Sequence, residues 1–420
     1  MSRERVLACV FTCCPPGTDG FKGGEDTLGW NLLRQIARFH EVWAITNSDA
    51  RQSIEQITKK ESITNINFCY VGLPNWMKPL LGFQGGHQFY YYIWQIKAYF
   101  VSRALHHQVR FGLFHHITYA NDWMTSFMGA LLPIRYVRGP GGGAHRTPKS
   151  LEKEYMLKGR IWEKIRSISQ WIFKHDPMFV LGQSRAGAIL VCNRESISKM
   201  PRRWVNKVHF FPVSGVSTHD LSLANSPKPR NTKFQVLSAG SLIRVKGFGI
   251  ALKAFKEFTN KYPESEFSII GSGPEQSQIE ATIHDLNISS KVFLKQSMPR
   301  LELLSEMATC DVFLFPSLRD GGGTVVIEAM AMSKPVICLD TGGPGMHIND
   351  DCGVKISTHS SGHVVSDISK ALERLYLDEP LRVRLGEAGR RRAERIYHWD
   401  RLGDQLKEIY KSVLQAEEQE

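Results

Sequence analysis

The segment from residue 312 to residue 345 constrains the fold of this chain more than any other. An apolar run, Val312 to Phe315, leads into a turn of Asp320, Gly321, Gly322 and Gly323. A helical stretch then begins near Thr324 and carries Glu328, and a second apolar run follows, Pro335 to Leu339. A strand, a glycine-rich turn, a helix and a second strand in that order belong to an α/β fold. The same segment suits an anionic ligand. The first N–H groups of a helix have no partner within it, the helix dipole favours negative charge there, and glycines let a phosphate come close to the backbone. Glu328, about one turn further on, can reach a group beyond the phosphate, such as the hydroxyls of a ribose. From spacing alone, the alternative is a plain turn between strand and helix with two surface acids.

An acid, seven intervening residues and a glutamate (Asp320 to Glu328), then Ala329-Met330-Ala331, the run Pro335-Val336-Ile337 and the loop Gly342-Gly343, resemble the donor-site signature of retaining nucleotide-sugar glycosyltransferases of family 4. The resemblance covers most of the chain. It implies the GT-B fold, an α/β architecture of two Rossmann-like doubly wound domains facing across a cleft, with the acceptor on the N-terminal side and the nucleotide sugar on the C-terminal side. It gives Glu328 the nucleotide ribose. It puts Asp320 near the donor sugar, where the family usually has the longer glutamate, and makes Gly322, Gly323 and Thr324 the phosphate-facing helix terminus.

The resemblance extends to Gly240-Ser241-Leu242-Ile243-Arg244-Val245-Lys246-Gly247, which follows the strand Val236 to Ala239. The family has Gly-Arg, a few residues, then Lys-Gly, with both cations on the diphosphate. Lys246 matches, Ser241 replaces the arginine, and Arg244 stands close by as a substitute. A cation there meets charge that develops on a departing diphosphate, where a preorganised charge stabilises most. Gly271 and Gly273, after the strand Phe267 to Ile270, fall near the nucleotide by the same resemblance. Read alone they suggest a dinucleotide loop, but Gln276 stands where its third glycine belongs.

In the N-terminal half, Val6 to Phe11, a Pro/Gly-rich loop, the helical run Leu28 to Phe39 and Glu41 to Thr46 repeat the doubly wound pattern. The resemblance gives Gly24, before that helix, to the donor diphosphate. It gives His116, at the end of the strand starting at Phe111, to the donor sugar, with His115 as the alternative. Arg138 and His145 flank the glycine-rich run Tyr136 to Gly143 and read either as acceptor or phosphate contacts or as parts of a structural loop. The aromatic stretch 86–107 reads as a helix, either core or an acceptor or membrane face.

A chain of 420 residues exceeds what one core usually serves. The expected division is 1–213 as acceptor-side domain, 214–232 as linker, 233–397 as nucleotide-sugar domain, and 398–420 as a terminal helix. That helix has an apolar stripe of Leu402, Leu406, Ile409 and Val413 and, by the resemblance, packs back on the first domain. No run approaches the roughly 18 apolar residues a membrane span needs. The N-terminus lacks a signal-peptide pattern, so the cytoplasm is the expected location. The 8 cysteines form no pair of Cys-x-x-Cys motifs and read as reduced thiols. There is no Asp-x-Asp, so no metal is expected; no cofactor is expected either, the nucleotide sugar being a substrate.

The net charge of +12 invites an anionic partner. Arg202, Arg203 and Lys207, and Arg390, Arg391, Arg392 and Arg395, suit either anionic lipid head groups at the inner face of a membrane or solvated helix faces. No nucleic-acid-binding pattern is present, and nucleic acid is not an expected partner.

The expected function is transfer of a sugar from a UDP- or GDP-linked donor to a hydroxyl of a saccharide, lipid-linked or small-molecule acceptor, with retention implied by the resemblance. His116, Lys246, Arg244 and Asp320 are the expected catalytic residues, and no nucleophile stands out. The alternatives are a GT-B sugar-nucleotide epimerase or phosphorylase, and a non-catalytic sugar-nucleotide or polyanion-binding module.

Overall fold

The computed structural model describes residues 4–21, 23–82, 85–119, 121–143, 145–152, 157–224 and 233–415. The chain forms two compact units: Met1–Ala144 with Ile165–Val213 and Trp399–Glu420, and His145–Lys164 with Ser214–His398.

The first unit is built on seven parallel strands, β1 (Arg5–Cys9), β2 (Glu41–Asn47), β3 (Ile66–Val71), β4 (Leu113–His116), β5 (Arg135–Gly141), β6 (Ala186–Val191) and β7 (Val208–Phe210), in the order β3-β2-β1-β4-β5-β6-β7. Its central strands are buried on both faces, as a parallel sheet covered by helices requires. Leu28, Leu32, Leu33 and Ile36 of the helix Gly24–Ala37 cover one face. The terminal helix Trp399–Gln415 adds Leu402, Leu406, Ile409, Tyr410 and Val413 to the same core. The helix Gly86–Val109 covers the other face with Tyr90, Tyr91 and Trp94, packed against Phe11, Phe114 and Tyr136.

The second unit has six parallel strands, β8 (Phe234–Ala239), β9 (Ser265–Ile270), β10 (Val292–Lys295), β11 (Val312–Phe315), β12 (Val336–Leu339) and β13 (Gly353–Ile356), in the order β10-β9-β8-β11-β12-β13. Successive side chains of a strand point to opposite faces. Leu314 therefore joins Phe255, Phe258 and Phe267 on one side, while Phe313 and Phe315 join Ile327 and Met330 on the other.

Of the expected linker, Val216 bridges His398, and Ser217 and Asp220 cap the helix Thr218–Leu223 reciprocally; residues 225–232 lie outside the described residues. The strand order of each sheet turns back at one place, between β1 and β4 in the first unit and between β8 and β11 in the second. Loops leaving the carboxyl ends of two such strands diverge to opposite faces and leave a crevice, which is where open α/β sheets bind ligands.

Candidate functional site

In the second unit that crevice is bounded by the loop after β8 and the loop after β11. Leu318 N–H and the Ser317 hydroxyl both donate to the Val245 carbonyl, tying the loops together (2.8 and 3.1 Å). Lys246 sits in the 3-10 turn Arg244–Lys246, above the ring of Phe315 at 5.0 Å. Its Nζ lies 2.5 Å from Asp320 Oδ2, and neither side chain is more than 18% exposed. Asp320 Oδ1 accepts the N–H groups of Gly322 (3.1 Å) and Gly323 (2.7 Å). Burial pushes the Asp320 carboxyl up, but the Lys246 charge and hydrogen bond and the two N–H groups together outweigh it and hold the carboxyl below its ordinary value. A carboxylate thus sits where the glycine turn meets the N-terminus of the helix Thr324–Ala331, in contact with the lysine to which the family resemblance gives a diphosphate.

The glycines around this crevice are required by contacts between loops. A Cβ on Gly271 would lie 2.0 Å from the Gly240 carbonyl oxygen, and one on Gly273 would lie 2.5 Å from that of Leu242. Gly342, at φ +60°, has no room beside the Asp320 carbonyl, and Gly323 holds φ +57° at the helix start. Arg244 turns away from the pair. Its NH2 faces Glu275 Oε1 at 3.5 Å, beside a cavity of about 360 Å³ that Gly249, Lys253 and Thr282 also line.

Glu328 is buried, and its Oε1 accepts Arg300 Nε at 2.6 Å. Arg300 also forks onto Asp220, NH1 to Oδ1 at 2.7 Å and NH2 to Oδ2 at 3.1 Å. Burial raises Glu328 above its ordinary value despite the lowering effect of Arg300. For Asp220, burial is outweighed by Arg300 and the Ser217 contacts, and the group is lowered. A second buried group supports the glycine turn: His347 Nε2 bonds the Gly322 carbonyl (2.7 Å) and Nδ1 bonds Tyr397 Oη (2.9 Å). Burial lowers His347 to about 4. The neutral ring then donates from Nε2 and accepts from the tyrosine.

Sequence reasoning missed Asp220, Arg300, His347 and Tyr397. The Ser217 to Asp220 spacing does announce a helix start. Nothing in the sequence joins Asp220 to an arginine 80 positions away.

In the first unit, His115 and His116 end β4 at its switch point and both are buried. His115 Nε2 bonds the Gly139 carbonyl and Nδ1 bonds Tyr410 Oη, each at 2.6 Å. His116 Nε2 bonds Tyr91 Oη at 2.5 Å, while its Nδ1 has no hydrogen bond among the described residues. Burial lowers both rings to about 3. Gly24 opens the helix Gly24–Ala37 in free space, and its neighbour Gly23 takes φ +116°. Arg138 is spent on structure, donating to the carbonyls of Asn121 and Met124 (2.9 Å to the latter) with its guanidinium over Phe179. Among the described residues no group of three or more His, Cys, Asp or Glu side chains is disposed to hold a metal.

Two Rossmann-like units of this topology make the chain a GT-B protein. Solved structures agree along its length. A glycosyltransferase from Rickettsia africae superposes with a TM-score of 0.65 at 13% identity, covering 99% of each chain. The UDP complex of Anabaena Alr3699/HepE does so with a TM-score of 0.63 at 14% identity, covering 97% of this chain and 100% of that one. Residues 222–392, within the second unit, match the model of the family described as Glycosyl transferases group 1.

Among curated relatives, a D-inositol 3-phosphate glycosyltransferase of Corynebacterium jeikeium is 28% identical over 42% of this chain and 43% of its own length. A GDP-mannose-dependent phosphatidylinositol monomannoside mannosyltransferase of Mycolicibacterium smegmatis is 27% identical over 43% and 48%. The matched part spans less than half the length of either relative.

Proposed function

We propose that this protein transfers a sugar from a nucleoside diphosphate sugar to an acceptor hydroxyl with retention of configuration. The second unit, including residues 233–397, binds the donor and the first, within residues 1–213, the acceptor. The observation that carries the reading is Lys246 beside the glycine turn and the helix at Thr324, at the switch point of the second sheet. When the donor enters, its diphosphate replaces the Asp320 carboxylate as partner of Lys246 and of the turn's N–H groups. Those groups already hold an anion, and the negative charge that the donor adds is met by Lys246, the helix dipole and Arg244. Asp320, released, faces the donor sugar, and Glu328 the ribose. Arg244 reaches the diphosphate by leaving Glu275. The leaving phosphate oxygen takes the acceptor proton in a front-face attack.

Metals and cofactors play no part in this reading, because Lys246 and the helix dipole supply the positive charge. The names of relatives and neighbours support both a UDP- and a GDP-linked donor, and a lipid-linked or inositol-type acceptor. The proposed location is the cytoplasm, in peripheral contact with anionic lipid. No helix among the described residues is long and apolar enough to cross a membrane.

The test is a panel of UDP- and GDP-sugars in the presence of EDTA, followed by NMR of released sugar and nucleotide. Slow release of the nucleoside diphosphate with the same anomer supports the proposal. Interconversion of the sugar nucleotide makes the protein an epimerase, and binding without turnover makes it a binding module.

A further inference from the structure

The helix Leu157–Lys174 is built the wrong way round for a surface helix. Such helices turn their apolar stripe to the core and their polar side to water. Here Arg166 and Gln170 face the protein, donating to the Gly143 carbonyl at 2.9 and 3.1 Å, and Glu163 is ion-paired with Arg319. These three positions follow one another at spacings of three and four and define the inner side.

The outer side carries Ile161, Ile165, Ile168 and Ile172, with Trp171 beside them, again at spacings of three and four. Ile168, Trp171 and Ile172 are 60%, 63% and 57% exposed, and Ile161 and Ile165 exceed 40%. Six large apolar side chains on one helix stand in water once Trp162 is counted. A contiguous apolar patch of that kind marks an interaction surface.

The charges say what covers it. Lys164 is exposed and lies within the stripe, three residues from Ile161 and four from Ile168. The acid nearest the stripe in the sequence, Glu163, is already held by Arg319. A face of isoleucine and tryptophan with an exposed lysine inside it and no free acid along it is complementary to an anionic bilayer, where apolar side chains enter the acyl boundary and an ammonium group stays at the phosphates. A second copy of the same face, docked about a two-fold axis, would bury the exposed Lys164 among apolar side chains with no free acid on the stripe to pair it.

We infer that the helix Leu157–Lys174 lies in the plane of an anionic phospholipid surface and seats the protein there, with Ile165, Ile168, Trp171 and Ile172 as its inserted side chains. This deepens the peripheral part of the reading above by naming the surface. It is independent of the sugar-transfer chemistry, which the donor panel tests without lipid.

The experiment is cosedimentation of the full chain with vesicles of equal parts phosphatidylcholine and phosphatidylglycerol, and with vesicles of phosphatidylcholine alone. The wild type is compared with Ile168→Asp/Ile172→Asp and with Lys164→Glu, while tryptophan emission and sedimentation velocity are recorded. The wild type binds the anionic vesicles with a blue shift and binds the neutral ones less. Each variant binds about tenfold or more weakly and, being altered only at exposed positions, keeps the wild-type melting curve. Absence of wild-type binding to anionic vesicles overturns the inference, as does unchanged binding by the double variant. A wild-type dimer that the double variant splits, without vesicle binding, overturns it too and assigns the face to self-association.

Discussion

Lys246 and Asp320 are 74 residues apart in sequence and 2.5 Å apart in space, one at the end of each loop that flanks the switch point of the second sheet. The sheet topology brings them together: β8 and β11 are hydrogen-bonded neighbours, so their following loops begin side by side. The pair places one cation and one anion at a helix N-terminus that favours negative charge. In the proposed reaction a diphosphate competes with Asp320 for both the ammonium and the N–H groups, so that the state without donor is already organised for the state with it.

The first prediction follows from the charge that grows as the sugar–phosphate bond breaks. Lys246→Ala lowers kcat by about 100-fold or more, as loss of a group that stabilises a developing anion does. In the proposed reaction Arg244 takes the place of the arginine missing at Ser241, so Arg244→Ala is also damaging, and adding Ser241→Arg restores part of the loss. Steady-state kinetics of both variants within a factor of about two of wild-type kcat would remove Lys246 and Arg244 from the leaving-group role.

The second concerns the buried set Asp220, Arg300 and Glu328. Removing the arginine leaves two buried carboxylates without a counter-charge, so Arg300→Met destabilises the second unit by about 3–5 kcal/mol in urea unfolding. Arg300→Lys recovers only part of this, because a point charge cannot make the forked contact to Asp220 and the bond to Glu328 together. Glu328→Gln separates two roles. A contact to ribose is similar in ground and transition states, so its loss raises donor KM with little change in kcat. If Glu328 only holds Arg300, stability falls and KM does not move.

The parts legible in sequence were those fixed by neighbours along the chain. Val312 to Phe315, the turn of three glycines and the helix at Thr324 appear where periodicity and turn chemistry put them. The two doubly wound sheets follow from the same local rules applied twice. The buried partners were not legible, because they are chosen by topology. Glu328 was visible as an acid at the right spacing, but its partner Arg300 sits at the start of a different helix behind Pro299. The glycine turn was readable as the turn that opens a helix, while the histidine that holds its carbonyl comes 25 residues later. Tyr91 and Tyr410, the partners of His116 and His115, read in sequence only as members of apolar helix faces, since a hydroxyl's partner leaves no mark on periodicity.

The third prediction is a loss of stability in mild acid. His115, His116 and His347 are neutral in the fold, lowered by burial to about 3, about 3 and about 4 from an ordinary value of 6.5. The unfolded chain takes up these protons first as pH falls. Stability is therefore full above about pH 6.5 and declines below it, down to the lowered values, by up to about 1.4 kcal/mol per pH unit for each ring. Asp320 acts lower still: with its folded value depressed, its contribution is full above 3.8 and is lost only as pH falls further. Calorimetry from pH 7.5 to 5 shows a falling melting temperature, and His347→Gln flattens the slope for the second unit. A melting temperature independent of pH over that range would mean that these rings titrate in the fold as they do in the unfolded chain.

The fourth concerns the helix Trp399–Gln415, which completes the core of the first unit. Leu402, Leu406, Ile409, Tyr410 and Val413 are all buried there, and Val413 packs so closely on Gly187 that a Cβ at that glycine would lie 2.8 Å from its Cγ1. Deleting one such leucine side chain costs about 2–5 kcal/mol. A domain's whole stability is about 5–15 kcal/mol, so truncation after His398 removes more than the first unit can lose, and its cooperative unfolding transition disappears. A milder change isolates the polar contact. Tyr410→Phe keeps the ring but leaves His115 Nδ1 buried without its 2.6 Å partner, at a cost of about 1–3 kcal/mol. Since His115 also bonds the Gly139 carbonyl, that variant loosens the end of β5 as well, and amide exchange there rises with the loss of stability. A truncated chain that melts at the wild-type temperature, or a Tyr410→Phe variant of unchanged stability and exchange, would show that the helix is an appendage and not part of this core.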